Sequence, residues 1–192
     1  MMNVAVLAST RGTTLGGLLE AQASGALEAK IVCVITDRAC GALDKAKTAG
    51  VDAILIDRQL MSSREEFEQR ADDELAKRGV ELVCLAGFMR ILSPAFVRKW
   101  SGRLLNAHPS LLPKFAGGMD LRVHEAVLAA GEKETGVTVH FVEEGVDTGE
   151  IVGQKKVPVV AGDTPESLKE RVQEAEKQLY LQVINEFARK MK

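Results

Sequence analysis

The stretch VAVLASTRGTTLGGLLEAQA, residues 4–23, contains the unit that decides the fold. Its opening run, residues 4–8, is apolar and rich in valine, which is typical of a short strand covered on both faces. The polar segment STRGTT follows, and LGGLLEA then places leucines at helical spacing. The stretch therefore predicts a strand, a tight loop and a helix, which is the repeating unit of a parallel α/β sheet.

Similar apolar runs recur along the chain and alternate with segments of helix length. The strand candidates are residues 4–8, 31–35, 53–56, 82–86, 104–107, 137–142 and 151–160. The helix candidates between them include residues 15–23, 42–49, 64–78 and 94–99. This alternation predicts a single-domain, Rossmann-like α/β fold with about seven strands in a mostly parallel sheet and helices on both faces.

The last two strand candidates differ from the others. Polar and apolar residues alternate over 137–142, and the polar residues 154–156 interrupt the final run, so we expect these strands near the sheet edge and antiparallel. A long helix is expected to close the chain. Thr164 can cap it, Pro165 suits its first turn, and apolar residues repeat at helical spacing to about Lys190.

Composition narrows the class of protein. The chain has 192 residues, of which 46% are hydrophobic and 27% charged, as in an ordinary soluble globular domain. No apolar run has the length of a membrane span, and the N-terminus enters a strand without a basic leader, so we expect a cytoplasmic protein with no membrane partner. The net charge of −2, with scattered basic residues, disfavours a nucleic-acid partner.

The three cysteines, Cys33, Cys40 and Cys84, show no metal-ligand spacing. Two of them lie in apolar strand candidates, where a thiol behaves as a small hydrophobic group. We expect all three to be reduced and structural.

The segment RLLNAHPSLLPK, residues 103–114, contains candidate catalytic groups. Asn106 and His108 are two residues apart at the end of an apolar run, so their side chains share a face if the run is a strand. Pro109 and Pro113 keep a helix from starting here, so the chain leaves the sheet where the polar groups lie. Open α/β sheets bind ligands at this end of their strands. Taken alone, a histidine beside an apolar run is more often structural than catalytic.

The loop STRGTT, residues 9–14, is a candidate phosphate site. It joins the first strand to the first helix, so backbone N–H groups of Gly12, Thr13 and Thr14 and the helix dipole would point at one place. The loop matches neither of the common glycine-rich phosphate motifs. A simple turn with a threonine cap explains it equally well.

Three longer motifs resemble the folate-dependent formyltransferases. They are Asn-x-His followed by Pro-Ser-Leu-Leu-Pro, the segment AGFMRILSPAF at 86–96, and the strand GVTVHFV at 136–142. The resemblance covers nearly the whole chain and implies a single formyltransferase domain over 1–192. Its first half, 1–100, would bind phosphate, and 101–192 would supply the active site and the closing helix. No room is expected for the additional domains that some members carry.

The resemblance also implies site residues. Asp147, in TVHFVEEGVDTGEI, would complete a catalytic group with Asn106 and His108. The ribonucleotide-binding residues would be Gly12, Thr13, Thr14, Gln173 and Glu176. The folate-binding residues would be Arg64, Met89, Arg90, Ile91, Leu92, Asn106, Glu143, Glu144, Gly145 and Val146.

Two segments depart from the family pattern. Thr10, Arg11 and Thr14 occupy positions where relatives that bind the ribonucleotide have other residues, which affects the expected affinity for the acceptor. Residues 115–125, FAGGMDLRVHE, are longer than the equivalent segment in common relatives and suggest a mobile loop. We interpret His124, near the start of the next helix, as structural. His140 and Thr138 are expected to support the site.

The family reaction implied is formyl transfer from 10-formyltetrahydrofolate, the co-substrate, to the amine of 5′-phosphoribosylglycinamide in purine synthesis. Asn106 and a protonated His108 would donate to the tetrahedral oxyanion, and Asp147 would favour the imidazolium and hold a water molecule. Neither a metal nor a protein nucleophile is expected. Hydrolysis of the formyl-folate and a non-catalytic folate- or nucleotide-binding module remain alternatives. We expect small-molecule partners only, and a monomer or homodimer.

Overall fold

A computed structural model describes residues 1–190 of the chain. Within them seven strands form one sheet in the order β3-β2-β1-β4-β5-β6-β7. Strands β1 to β5 run parallel, whereas β6 is antiparallel to β5 and β7 to β6. This confirms the predicted, mostly parallel sheet with antiparallel last strands. The strands are β1 Asn3–Ala8, β2 Lys30–Thr36, β3 Asp52–Leu55, β4 Leu82–Leu85, β5 Leu104–His108, β6 Glu134–Phe141 and β7 Ile151–Pro158.

Helices cover both faces of the sheet, as predicted. The α-helices are α1 Thr13–Ala23, α2 Gly41–Thr48, α3 Arg64–Lys77, α4 Pro94–Lys99, α5 Leu121–Ala129 and α6 Pro165–Lys190, and a short 3₁₀ helix spans Arg58–Leu60. Helices α1, α2, α5 and α6 pack in the hydrophobic core on one face, and α3 and α4 pack in the core on the other. None of the helices in residues 1–190 has the length and apolar composition that crossing a membrane requires.

Strand β1 shows why the apolar runs are continuous. Val4 and Val6 contribute to the core beneath α1 and α6, while Ala5 and Leu7 contribute to the core beneath α3 and α4. Successive side chains point to opposite faces, so a strand covered on both sides needs apolar residues at every position. Strand β3 lies at a sheet edge and is only half-buried. The polar residues 154–156 are mostly exposed on β7, at the opposite edge.

Helix α6 links this scaffold to the carboxyl ends of the central strands. The backbone N–H of Ser167 donates to Oγ1 of Thr164 at 3.2 Å, which confirms the predicted cap. Further along α6, the buried hydroxyl of Tyr180 donates to the carbonyl oxygens of Leu85, at 2.9 Å, and Leu105, at 3.1 Å. These carbonyls belong to β4 and β5, so α6 fixes the spacing of the two strands beside the candidate catalytic residues.

The boundaries differ from the predictions in places. Strand β6 begins at Glu134, earlier than predicted, and β7 ends at Pro158. The predicted loop over residues 115–125 is wrong for its last part, because α5 already begins at Leu121. Val123 is 1% exposed and Val127 packs in the core, and this burial stabilises helix where the glycine-rich start of the segment suggested loop. His124 lies in the first turn of α5, where the sequence placed it.

All three cysteines are free, and Cys33 and Cys84 are buried in their strands. Burial raises the pKa of the Cys84 thiol to about 12 and that of Cys33 to about 11. These two thiols are therefore protonated near neutral pH, which suits the structural role expected of them.

Candidate active site

A cleft of about 430 Å³ opens at the carboxyl ends of β1, β4 and β5. The loop after β1, the loop after β4 and the segment between β6 and β7 form its walls, and α6 closes one side. Its volume is in the range typical of small-molecule sites, and its position is where open α/β sheets bind ligands. Within residues 1–190, the His, Cys, Asp and Glu side chains form no group of three or more that could hold a metal ion.

Strand pairing brings two histidines and an amide together at the floor of the cleft. Asn106 and His108 lie on one face of β5, and in the antiparallel pairing with β6 they are opposite His140 and Thr138. Nδ2 of Asn106 consequently lies 3.2 Å from Nε2 of His140. The proximity depends on the register of the two strands, because a shift by one residue would turn these side chains to the other face.

Asp147 reaches the same place from the loop between β6 and β7. Its Oδ2 atom lies 3.1 Å from Nδ1 of His108 and accepts a hydrogen bond of 2.8 Å from the backbone N–H of Gly117. Asp147 has a φ of 54°, in the left-handed region that aspartate tolerates better than most residues. The structure thus brings Asn106, His108 and Asp147 together, although Asp147 is distant from the other two in sequence.

The carboxyl group of Asp147 is held in its charged form. Burial by itself would raise its pKa, but hydrogen bonds from His108 and from the backbone N–H of Gly117 outweigh burial. The pKa of Asp147 consequently lies well below its ordinary value. A carboxylate beside Nδ1 of His108 can only accept a hydrogen bond, so Nδ1 is the donor of this pair.

The hydrogen bonds of His108 engage both ring nitrogens. Nδ1 faces the Asp147 carboxylate, and Nε2 lies 3.0 Å from the carbonyl oxygen of Phe115. Both partners can only accept hydrogen bonds, so both ring nitrogens are satisfied when each carries a proton. The ring itself is 3% exposed. In this arrangement the Phe115 carbonyl accepts the hydrogen of Nε2, which is the donor that would otherwise face a substrate.

His140 determines how the Asn106 amide is held. Its Nδ1 donates to the carbonyl of Phe141 at 2.7 Å, so Nε2 of the neutral ring is an acceptor. That acceptor receives the Nδ2 hydrogen of Asn106. Oδ1 of Asp147 is 3.5 Å from the same nitrogen and would receive a hydrogen bond only from a protonated ring. His140 therefore holds the Asn106 amide nitrogen at the floor of the cleft, the supporting position that the sequence suggested.

The loop after β1 presents the beginning of α1 to the cleft. Gly12 is the N-cap of α1, with a φ of 70° and no side-chain cap on the first turn. A Cβ at Gly12 would lie 3.0 Å from the Ala42 backbone, so glycine is needed there. Thr13 and Thr14 line the cleft, as do Thr10 and Arg11, whereas Gly12 itself does not. Uncapped N–H groups at a helix N-terminus favour an anion.

Glu176 and Gln173 line the cleft from α6. The hydroxyl of Thr14 donates to Oε1 of Glu176 at 2.6 Å, which ties α1 to α6. Glu176 is 8% exposed. Burial raises the pKa of its carboxyl to about 7, and the Thr14 hydrogen bond offsets part of that effect. Near neutral pH this carboxyl can therefore donate or accept a hydrogen bond.

The residues predicted to bind folate form the opposite part of the cleft. Ser9 helps to hold them in place, because its Oγ accepts the backbone N–H of Met89 at 3.0 Å. Ile91 and Val146 are 57% and 46% exposed at the opening, an apolar pair suited to a flat ring. The predicted folate residues that line the cleft are Met89, Arg90, Ile91, Leu92, Asn106, Glu143, Glu144, Gly145 and Val146.

Arg64 is the predicted folate residue that the structure does not bring to the cleft. It lies in the first turn of α3, and its guanidinium bonds to Glu65 at 3.2 Å. The nearby Glu68 carboxylate is itself bonded to the backbone N–H of Ser93 at 2.7 Å. Neighbouring carboxylates therefore hold Arg64 on the face of the sheet that α3 covers.

Asp120, His124 and Lys169 also line the cleft. The sequence predicted no role for Asp120 or Lys169. Lys169 precedes Gln173 by four residues and Glu176 by seven, and this helical spacing was a signal that it shares their face. His124 was interpreted as structural. Its position in the cleft depends on how α5 packs, which local sequence does not show.

The fold and the site define an α/β protein whose cleft, at the carboxyl ends of parallel strands, combines an amide, an imidazolium and a carboxylate suited to acyl-type transfer. The sequence pattern of a family described as Formyl transferase matches residues 2–184. The chain belongs to this family.

Its relatives include enzymes named phosphoribosylglycinamide formyltransferase. The one from Haemophilus influenzae is 42% identical over 97% of this chain and 87% of its own length, and the one from Escherichia coli is 39% identical over the same shares. A Gallus gallus protein named trifunctional purine biosynthetic protein adenosine-3 is 49% identical over 91% of this chain. The chain spans 17% of the length of that trifunctional protein.

Solved structures show the same architecture. Glycinamide ribonucleotide transformylase 1 from Symbiobacterium toebii matches with a TM-score of 0.93 and 40% identity, covering 98% of this chain and 88% of its own. Phosphoribosylglycinamide formyltransferase from Coxiella burnetii, solved in complex with CHES, matches with a TM-score of 0.91 and 40% identity, covering 97% of this chain and 87% of its own.

Proposed function

We propose that this protein transfers the formyl group of 10-formyltetrahydrofolate to the amine of 5′-phosphoribosylglycinamide, a step of purine biosynthesis. The observation that carries the proposal is the contact between His108 and Asp147 beside Asn106, at the point where the two sides of the cleft meet. The names of the relatives supply the substrates. We also propose that it acts in the cytoplasm as a monomer or homodimer.

In this reaction the acceptor amine attacks the formyl carbon, and the carbonyl oxygen becomes an oxyanion. Asn106 donates to that oxygen through its amide N–H, and His108 donates through Nε2–H. In the free protein Nε2 lies 3.0 Å from the Phe115 carbonyl, so the formyl oxygen takes the place of that carbonyl when substrates bind. Donors aimed at developing charge contribute about a hundredfold or more each to the rate.

Proton transfer must accompany the bond changes, because the attacking nitrogen loses a proton and the departing folate nitrogen gains one. Asp147 stays ionised through this cycle, since its pKa is held well below the ordinary value. Its charge maintains the His108 imidazolium, and a water molecule held by the carboxylate relays the proton between the two nitrogens.

The two substrates bind on different sides of these residues. The folate ring lies against the segment 89–92 and beneath residues 143–146. The acceptor directs its phosphate at the N-terminus of α1, near Thr13 and Thr14, and its ribose hydroxyls at Glu176. This arrangement places the acceptor amine and the formyl carbon together at Asn106, His108 and Asp147.

The experiment that tests the function measures both products with and without the acceptor. Purified protein is incubated with 10-formyltetrahydrofolate, tetrahydrofolate is followed by absorbance, and formylated acceptor is measured by mass spectrometry. We expect tetrahydrofolate to form only when 5′-phosphoribosylglycinamide is present, with one formylated product for each folate consumed. Formate release without acceptor would instead identify a hydrolase, and folate binding without turnover would identify a binding module.

A further inference from the structure

Helix α6 presents the cation of Lys169 to the cleft, one turn before Gln173 in the sequence. Lys169, Gln173 and Glu176 are spaced by four and three residues, so they form one line on the helix surface, and all three line the cleft. The Lys169 side chain is 22% exposed and is ion-paired with Asp120. Asp120 is the N-cap of α5, with a φ of 51° and no capping hydrogen bond from its side chain.

Beside this cation lies an imidazole with an unused nitrogen. His124 is 1% exposed and lines the cleft, and its Nδ1 atom has no hydrogen-bond partner. Burial and the charge of Lys169 lower the pKa of His124 to about 4, so the ring is neutral near neutral pH. A neutral imidazole offers one N–H donor, on either nitrogen.

A purely structural role does not explain His124. Nearly all buried polar groups in native proteins have hydrogen-bond partners, and an unpaired one destabilises the free protein. An apolar residue of similar size would pack in the first turn of α5 without that cost. The unpaired nitrogen and the cation of Lys169 lie in the same part of the cleft, and a ligand with several acceptor oxygens would satisfy both.

We propose that Lys169 and His124 bind the phosphate group of the acceptor together with the N-terminus of α1. The inference rests on the proposed function and adds a phosphate contact from α5 and α6 to it. A phosphate dianion competes with the single carboxylate of Asp120 for Lys169, and it accepts the imidazole N–H as well. Lys169 is two helical turns from Glu176, about 10 Å along the helix axis, a distance that a ribose 5-phosphate and a lysine side chain can cover together.

Binding measured by calorimetry tests the cation. The ligands are 5′-phosphoribosylglycinamide and the same molecule without its phosphate, and the variant is Lys169→Gln. Lys177→Gln is the matched control, because Lys177 lies on the same helix outside the cleft, paired with Glu174 at 2.9 Å. We expect Lys169→Gln to weaken binding of the phosphorylated acceptor about tenfold and to leave the dephosphorylated one unchanged. Lys177→Gln should change neither.

His124→Leu separates binding from structure. We expect the variant to bind the phosphorylated acceptor several-fold more weakly, while its thermal midpoint stays the same or rises, because the unpaired nitrogen has been removed. A structural histidine would give the opposite pattern, a lower midpoint with unchanged affinity.

Three results would overturn the inference: unchanged affinity of Lys169→Gln for the phosphorylated acceptor, equal weakening for both acceptors, or the structural pattern in His124→Leu. If the wild type transfers formyl groups while one of these results is obtained, this inference alone is wrong. If the wild type neither binds the ribonucleotide nor transfers the formyl group, the proposed function is wrong as well, and the phosphate contact with it.

Discussion

Nδ1 of His108 lies 3.1 Å from Oδ2 of Asp147. The histidine ends β5, whereas the aspartate lies on the loop after β6. A third segment joins them, because the Gly117 N–H bonds to Asp147 and the Phe115 carbonyl bonds to His108. The alignment of the pair therefore depends on loops that meet above the sheet, and changes in those loops should affect catalysis.

Gly149→Ala should disturb Asp147 from two residues away. A Cβ at Gly149 would lie 1.9 Å from the carbonyl oxygen of Phe141, closer than any real contact, so the turn between β6 and β7 must move. We expect a loss of about 2 kcal/mol or more in the free energy of unfolding and a fall in kcat of about tenfold or more. Urea unfolding and steady-state assays measure the two effects.

Gly153→Ala is the matched control on the adjacent strand β7. A Cβ there would lie 3.2 Å from the end of the Leu179 side chain, so that side chain would have to shift by only a few tenths of an ångström. We expect the free energy of unfolding to change by less than about 1 kcal/mol and kcat to stay close to that of wild type. Similar effects of the two substitutions would contradict the role assigned to Gly149.

Glu176→Gln should change how stability depends on pH. The folded pKa of Glu176 is raised from 4.5 to about 7. For such a group, the stabilising contribution is complete below the unfolded pKa and is lost as pH rises through the folded one. Glutamine does not titrate, so we expect the variant to gain stability relative to wild type between about pH 5 and about pH 8, by an amount on the order of 3 kcal/mol.

Urea unfolding of both proteins at the two pH values measures this gain. Glu174→Gln serves as the control, because Glu174 is exposed on the same helix and its pKa is lowered, chiefly by a hydrogen bond from Lys177. It should show no gain as pH rises. A stability difference between Glu176→Gln and wild type that stays constant over this range would show that burial does not raise the pKa of Glu176.

Tyr180→Phe should destabilise the protein by about 1–2 kcal/mol, because it removes a buried hydroxyl that donates to two carbonyls. Thr135→Val is the control, since the Thr135 hydroxyl is buried without a hydrogen-bond partner and its removal should cost little. Chemical denaturation compares the two. If the two variants lose equal stability, side-chain packing and not the hydrogen bonds of Tyr180 would explain the loss.

Much of the fold could be predicted because it is encoded locally. Residues 4–23 show a strand, loop and helix through periodicity alone, and the cap at Thr164 is a short-range signal. The exact start of α5 could not be predicted. It depends on the burial of Val123, which outweighs the loop propensity of the glycines before it.

The candidate site likewise contains residues that the sequence could predict and contacts that it could not. Asn106 and His108 are on one strand, so period-two spacing places them together. Their contact with Asp147 depends on the register of β5 and β6, and the sequence alone suggested it only through family resemblance. The Phe115 carbonyl on His108, and the meeting of Lys169 with Asp120, arise from loop and helix packing that no local pattern records.

We propose that the charge of Asp147 supports formyl transfer through His108, and kcat of Asp147→Asn measures that contribution. Asparagine tolerates the left-handed backbone at this position and matches aspartate in size, so the variant should fold. Asp73→Asn, an exposed change on α3, is the control. We expect kcat to fall about a hundredfold or more, and the thermal midpoint to fall as well, because the charge of Asp147 stabilises the folded protein. A folded Asp147→Asn protein whose kcat matches wild type would show that this charge is not needed for formyl transfer.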